Sequence, residues 1–375
     1  MWKRLICFVM GMVVCLASDA VPARAADQPS VSAASAILVE TENGRVLFAK
    51  NAQEPRAMAS TTKIMTALLA LEQPDREITI TEEMIRAEGS SMGLRAGDRL
   101  SLHELAAGML SVSGNDAANA AAIAIDGSLS AFAARMNRRA AELGLTQTHF
   151  VTPSGLDAEG HETTAADLAR LMRFAMENEL FASLCGSPQV SVSFEEPEET
   201  RTYTNHNKLL TLLEGCIGGK TGYTKHAGRC LVSAAERDGI RLVAVTLSDP
   251  DDWNDHMALM EYGFSELELY TEPQTAYSGR LPVTGGSAPF VSVRGEEGEA
   301  FPVLQEEAQR VECRVELPPF LYAPVHAGSQ IGSLSYWLDG EEKCRMPLYA
   351  GQEITVRQDD RSFWEKIASF FGLNL

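Results

Sequence analysis

Met58-Ala59-Ser60-Thr61-Thr62-Lys63 runs straight into Ile64-Met65-Thr66-Ala67-Leu68-Leu69-Ala70-Leu71. Ile64 and Leu68 stand four apart, as do Met65 and Leu69, the spacing of one face of an α-helix. Polar residues are nearly absent from this run, which predicts a helix buried on most sides. Ser60 falls in its first turn. Lys63, three residues on, shares the same face, so its amine can reach the Ser60 hydroxyl. The helix N-terminus adds unpaired N–H groups and positive potential, both useful beside a developing anion. A serine attacks only once a base takes its proton. Lysine can be that base only when neutral, and at its ordinary pKa of about 10.4 only about one in a few thousand is neutral at pH 7. Lowering that pKa by ~3 units costs about 4 kcal/mol, which burial and a second cation can supply. The reading therefore requires another positive charge nearby. Taken alone, Ser-x-x-Lys arises often by chance, and a serine opening a helix has an ordinary capping explanation.

The N-terminus points to export. Lys3 and Arg4 precede an apolar run from Leu5 to Ala17, and Ala23-Arg24-Ala25 reads as a small-x-small cleavage site, so residues 1–25 are expected to be a signal peptide. The apolar run is too short to span a bilayer. About 350 residues would remain, enough for two domains. With 51 acidic against 32 basic residues the net charge is −19. That excludes nucleic acid as a partner, and equally an anionic surface held by charge alone. Beyond the signal peptide stand Cys185, Cys216, Cys230, Cys313 and Cys344. Their odd number and wide spacing fit neither a disulfide framework nor a metal site. Cys216 and Cys230 could face each other across a hairpin, which export would permit; buried free thiols are the alternative. No motif asks for a metal or other cofactor.

Outward from the helix the elements fall in order. Ala36–Thr41 and Arg45–Lys50 flank Asn43-Gly44, a strong hairpin signal. Ile78–Thr81 reads as a short strand and Ser90–Asp98 as a glycine-containing loop. Ser101-Leu-His-Glu104 reads as a capping box opening a helix through Leu110. An alanine-rich helix spans Ala117–Ile125, and Ser130–Leu143 is another, stopped by Gly144. Thr163 or Thr164 caps a helix through Asn178. Val190, Val192 and Phe194 alternate up to the acidic tip Glu195–Glu199, and Arg201–Thr204 returns as a strand. Ile217–Thr224, Arg229–Ala235 and Ile240–Leu247 read as adjacent strands, and Asp252–Leu269 as a final helix. This is an α+β pattern, an antiparallel sheet with helices on its faces. After Thr271-Glu272-Pro273 the character changes. Short strands at Phe290–Arg294, Arg310–Leu317, Gln330–Leu338 and Lys343–Tyr349, punctuated by glycine turns, predict a smaller all-β domain. The expected division is 26–270, 271–358 and a tail at 359–375.

Two more stretches carry chemistry. Ser113-Gly114-Asn115 lies between two predicted helices, where a hydroxyl and an amide can project into a cleft. Lys220-Thr221-Gly222 lies on a predicted strand entered through Gly218-Gly219, and glycine there lets another backbone lie close. Ser-x-x-Lys, a Ser-x-Asn-type triplet and Lys-Thr-Gly together form the signature of penicillin-binding proteins and class A β-lactamases. The chain resembles the low-molecular-mass penicillin-binding proteins that are serine-type D-alanyl-D-alanine carboxypeptidases. The resemblance rests on Met58–Lys63, Val112-Ser-Gly-Asn-Asp116, Pro153-Ser-Gly-Leu-Asp157, Gly219-Lys-Thr-Gly-Tyr-Thr224 and the trailing β domain. It covers most of the chain after the signal peptide. Tyr223 stands where relatives often have His or Phe, and Gly114 where others have Asp or Gly. Neither change removes a reacting group.

The resemblance implies a β-lactamase/transpeptidase-like fold and a set of roles. Ser60, Lys63 and Ser113 would be catalytic, as nucleophile, base and proton relay. Asn115, Lys220, Thr221, Gly222 and Tyr223 would bind substrate, a peptidoglycan stem peptide ending in D-Ala-D-Ala, with backbone N–H groups of Ser60 and Tyr223 as oxyanion donors. β-Lactams would trap the same acyl-enzyme. A class A β-lactamase would need a positioned glutamate. Glu159 and Glu162 lie in the corresponding region without that family's Glu-x-x-Leu-Asn pattern. A D,D-endopeptidase and an inert wall-binding protein remain as alternatives. His161 is expected to be structural, and Asn205 and Asn207 to shape a turn. In the tail, Phe363, Trp364, Ile367, Phe370 and Phe371 share one helical face, the pattern of a peripheral anchor on the outer face of the cytoplasmic membrane.

Overall fold

The computed structural model describes residues 28–358; the expected signal peptide and aromatic tail lie outside the described residues. Strands β1 (Ser35–Glu40) and β2 (Val46–Lys50) pair antiparallel. Gly44 takes φ 69° in their turn, a value that favours glycine. The Glu40 carboxylate accepts from the Asn43 amide at 2.9 Å. A 3-10 turn, Ala59–Thr62, leads into α1 (Lys63–Leu71), every residue of which is buried. Strands β3 (Glu77–Thr79) and β4 (Arg99–Ser101) form a small ribbon before α2 (Leu102–Ser111). The capping box holds: Ser101 Oγ accepts from Glu104 N at 3.2 Å, and Glu104 Oε2 accepts from Ser101 N at 3.4 Å. Helices α3 (Asn115–Asp126), α4 (Leu129–Glu142) and α5 (Ala165–Met176) follow, the last capped by Thr164.

Two expectations about helix ends are corrected. The helix after Thr164 stops at Met176, and Asn178 caps a separate helix, α6 (Glu179–Gly186). Strands β5 (Gln189–Glu195) and β6 (Glu198–Thr204) form the hairpin with the acidic tip. A short turn of helix, α7 (Leu209–Leu212), precedes β7 (Cys216–Thr224), β8 (Gly228–Arg237) and β9 (Ile240–Leu247). Helix α8 (Asp252–Glu266) ends three residues before Leu269, because Leu267–Tyr270 forms β10. Leu267 and Leu269 continue the apolar spacing of α8, but they pair with Leu304 and Pro302 of the later strand Phe301–Leu304. Tertiary pairing overrides the local pattern there.

The central sheet has the order β2-β1-β9-β8-β7 and is antiparallel throughout. Its faces separate two apolar clusters with strand periodicity. Val232 and Ala234 of β8 face the cluster holding α1, α2 and α5, whereas Leu231 and Ala235 face the one holding α8. The strand β7 therefore forms one edge, next to the start of α1. The register sets Cys216 opposite Ala235 and Cys230 opposite Gly222, and both cysteines are free thiols. The hairpin disulfide is thus excluded because the two residues are offset along it.

Beyond β10 lie β11 (Ser278–Thr284), β12 (Phe290–Gly295), β13 (Phe301–Leu304), β14 (Glu312–Glu316), β15 (Leu321–Tyr322), β16 (Gln330–Leu338) and β17 (Glu341–Ala350). Six of them form a sheet in the order β14-β16-β17-β12-β11-β15 around a third apolar cluster. An ion pair, Arg45–Glu307 at 2.8 Å, joins this module to the first hairpin.

Candidate active site

Ser60 sits in the 3-10 turn, one residue after Ala59, which is held at φ 47°. An alanine reaches that region only at a cost of order 1–3 kcal/mol, and its surroundings must hold it there. Gly155 packs against it so closely that a Cβ on Gly155 would lie 2.0 Å from the Ala59 carbonyl oxygen. Thr62 Oγ1 donates to that carbonyl at 2.8 Å. His161 Nε2 lies 2.8 Å from the same hydroxyl, and His161 Nδ1 accepts from the Val151 amide at 2.9 Å. This chain of bonds fixes the turn under the nucleophile. Burial lowers the His161 pKa to about 4, so the ring is neutral at pH 7 and donates from Nε2.

Lys63 is fully buried. Its Nζ lies 2.9 Å from Ser60 Oγ, 2.6 Å from Asn115 Oδ1 and 2.5 Å from the Ser154 carbonyl oxygen. The Pro153–Asp157 stretch thus supplies a backbone acceptor to the lysine, and its Pro153 carbonyl accepts from Thr66 Oγ1 at 2.7 Å.

Ser113 is the middle residue of the link between α2 and α3, at φ 60°. Asn115 is the first residue of α3, and its Nδ2 donates to the Glu88 carbonyl at 2.6 Å. Asp116 beside it is buried and gathers the loop opposite. Its carboxylate accepts from Ser91 Oγ at 2.5 Å and from the amides of Met92, Gly93 and Leu94 at 2.9, 3.0 and 3.1 Å. A Cβ on Gly114 would lie 2.8 Å from Asp116 Oδ1 and 3.1 Å from Met92 N, so a side chain here would press on the bonds that Asp116 makes.

The third motif lies on β7. Lys220 points inward, Thr221 is half-buried and Tyr223 is 66 % exposed. Lys220 Nζ lies 3.1 Å from Ser113 Oγ and donates to the Thr221 carbonyl at 2.8 Å. A Cβ on Gly222 would approach Ser60 N to 3.0 Å and the Met58 carbonyl to 3.1 Å. Glycine therefore lets the edge strand abut the start of α1. All eight residues singled out from the sequence meet around this point, although they come from a 3-10 turn, two helices, the link between α2 and α3, and a strand.

The electrostatics supply the required second cation. Burial, then the Lys220 charge, holds the Lys63 pKa well below the usual lysine range, against a smaller opposing pull from Asp116. Burial lowers Lys220 to about 7. Both amines are thus shifted toward their neutral forms, chiefly by burial.

These groups line a cleft of about 420 Å³ bounded by Ser60, Ser113, Thr221, Gly222 and Tyr223. His206, Arg229, Asp252 and Trp253 complete its walls, and sequence reasoning did not single them out as site residues. Asp252 was read only as a helix start. It also pairs with Arg229 at 2.5 Å, and the Arg229 guanidinium lies 5.7 Å from the Trp253 ring. Asn205 and Asn207 shape the turn before α7: Asn205 Oδ1 accepts from Asn207 N at 2.9 Å, and Asn207 Oδ1 from Leu209 N at 3.1 Å.

Comparison with known proteins decides the family. Residues 22–251 match the D-alanyl-D-alanine carboxypeptidase family of serine peptidases. The chain belongs to this family. Residues 264–356 of the carboxypeptidase match the C-terminal domain of penicillin-binding protein 5, which makes it a low-molecular-mass penicillin-binding protein. It is 31% identical to the D-alanyl-D-alanine carboxypeptidase DacF of Bacillus subtilis, over 86% of each chain. It is 36% identical to DacB2 of Mycobacterium tuberculosis, over 66% of this chain and 88% of that one. Penicillin-binding protein 5 from Haemophilus influenzae superposes with a TM-score of 0.64 at 26% identity, over 88% of this chain and 99% of that one. The α+β fold with an all-β C-terminal module is therefore that of the family, and the carboxypeptidase is a hydrolase of peptides.

Proposed function

We propose that the carboxypeptidase removes the terminal D-alanine from peptidoglycan stem pentapeptides, with Ser60 as nucleophile and neutral Lys63 as its base. The observation that carries this is the set of partners around Lys63 Nζ. A neutral amine has two N–H donors and one lone pair. The Asn115 and Ser154 carbonyl oxygens accept two hydrogens. The one remaining neighbour is Ser60 Oγ at 2.9 Å, whose O–H can donate to the lone pair. The buried site thus satisfies the neutral base fully and has no carboxylate on the amine to stabilise its cation.

Ser60 Oγ attacks the carbonyl of the penultimate D-alanine, and Lys63 takes its proton. Ser113, bonded to Lys220, passes a proton to the departing amine. The Ser60 and Tyr223 backbone N–H groups hold the oxyanion, each donor worth roughly a hundredfold or more in rate. Asn115 bonds the substrate peptide, while Thr221 and Lys220 hold the terminal carboxylate. Gly222 lets the peptide run along the edge of β7. Water then cleaves the acyl-enzyme, and a β-lactam forms the same ester. Residues 1–25 as an export signal and residues 359–375 as an apolar anchor would set this chemistry on the outer face of the cytoplasmic membrane, where its substrate lies.

The test is D-alanine release from a synthetic stem pentapeptide beside labelling by a fluorescent penicillin. Ser60→Ala should abolish both while the circular dichroism spectrum is unchanged. Labelling that persists in the folded variant overturns the assignment.

A further inference from the structure

The β module carries an apolar rim that nothing described covers. In β11, Leu281 and Val283 face the core, so Pro282 and Thr284 face outward. Pro282 pairs with Phe290 and Thr284 with Tyr322, which puts both aromatic side chains on the same outer face. Phe320, two residues before Tyr322, shares that face, and the two rings meet edge to face at 5.2 Å. Val356 lies opposite Gly286 in the turn of the same hairpin. Phe290, Phe320, Tyr322 and Val356 are 47, 40, 71 and 56 % exposed. Residues of this size gathered on one face mark an interaction surface rather than scattered surface apolar residues.

Charge identifies what the rim fits. The chain has 51 acidic residues, yet residues 281–293 and 317–325 contain no Asp, Glu, Lys or Arg. Arg280 is the next outward-facing residue along β11, and Arg357 follows Val356. Glu353 and Asp359 each stand three residues from Val356, and Glu353 is bonded to His326 at 3.0 Å. A dimer would bury about 800 Å² per partner, more than these few side chains offer. The place where the described chain leaves the module points the same way. Arg357 N donates to the Gly285 carbonyl at 2.9 Å, so the last described residues lie beside the rim. Aromatic side chains gathered on one face, with Arg280 and Arg357 beside them, suit the headgroup boundary of a bilayer.

We propose that the outer face formed by Pro282, Phe290, Phe320, Tyr322 and Val356 rests in a lipid surface. The inference rests on the membrane location proposed above. The module is thereby held at its rim as well as by residues 359–375.

Hydrogen exchange of the intact chain tests this, run alone and with vesicles of phosphatidylcholine, with and without phosphatidylglycerol. Residues 281–293 and 317–325 should slow when vesicles of either composition are added. The variant Phe290→Ser/Phe320→Ser/Tyr322→Ser should partition about tenfold more weakly to the same vesicles, with unchanged penicillin labelling and melting temperature. Protection confined to residues 359–375 overturns the rim and leaves the tail anchor standing, and protection nowhere overturns both. Protection of the rim that grows with protein concentration and ignores vesicles assigns it to a second copy. Protection that is present without vesicles and lost when residues 359–375 are deleted assigns it to the tail; either result overturns the proposal.

Discussion

The two folded parts of the chain bury different things. The part before β10 takes Lys63, Lys220, Asp116, Asn115 and His161 out of solvent, each more than nine-tenths buried. The β module buries an almost wholly apolar set. Among its described residues the buried polar side chains are Glu307 and Ser335, and Glu307 is tied to Arg45. Burying amines costs stability unless partners compensate. The first part accepts that cost where the reaction needs a neutral amine. The second has no such site and is packed for stability alone. Substitutions in the two parts should therefore fail in different ways: in one by rate, in the other by folding.

The largest effect should come from Lys63→Arg. Arginine keeps the charge but cannot lose a proton at working pH. Acylation by penicillin should fall by more than about a thousandfold, with little change in melting temperature. Near-normal acylation would remove the base role and with it the contrast. Leu348→Ala probes the other side. Leu348 is fully buried in the β module, and its truncation should cost about 2–5 kcal/mol, read from the denaturation midpoint. The kcat/KM on pentapeptide should stay unchanged while the protein is folded. A matching loss of activity would show that the module is part of the catalytic machinery.

Asp116→Asn should show both kinds of failure at once. It weakens a carboxylate that holds three backbone amides and Ser91, a loss of about 1–3 kcal/mol in stability. It also removes the one charge that raises the Lys63 pKa. The acid limb of the acylation–pH profile should therefore move to lower pH, which a merely structural residue would not do. The smallest effect is a slope. His161 titrates at about 4 in the fold against about 6.5 when unfolded. Between those values the unfolded chain binds more protons, so its contribution is full above about pH 6.5 and is lost as pH falls towards 4. The expected slope is about 1.4 kcal/mol per pH unit, and His161→Gln should flatten it. An unchanged slope would assign acid sensitivity to other groups, such as His256, also lowered by burial, to about 3.

What could be read from the residues follows the range of the contacts. The Ser60–Lys63 pair is local, set by helical spacing, and the structure has it as expected. The hairpin at Asn43-Gly44 and the capping box at Ser101 are equally local. Asp116 and Gly155 escaped as supports of the site because their meaning lies in partners far along the chain, the Met92 loop and the Ala59 carbonyl; His161 was read as structural, but its partner Thr62 was not legible. Gly155 could have been suspected from the Pro153–Asp157 motif, but not its contact. Strand β10 was hidden for a related reason. Leu267 and Leu269 suit a helix until β13 offers them a strand partner. The walls at Arg229 and Trp253 carry no motif, and only the pairing of β7 with β8 and the start of α8 bring them to the cleft.

The order β2-β1-β9-β8-β7 has a consequence in time. Strand β1 must pair with β9, which is made long after it, and Gly222 must reach Ser60 from the far end of the domain. Closing so long a loop is slow and cannot begin until its second end exists. If the chain is exported as proposed, it would thus carry its serine and lysine exposed, solvated and unreactive for most of its passage. Reactivity would switch on only when the last strands of the domain arrive, so a partly delivered chain can neither cut a peptide nor be poisoned by a β-lactam.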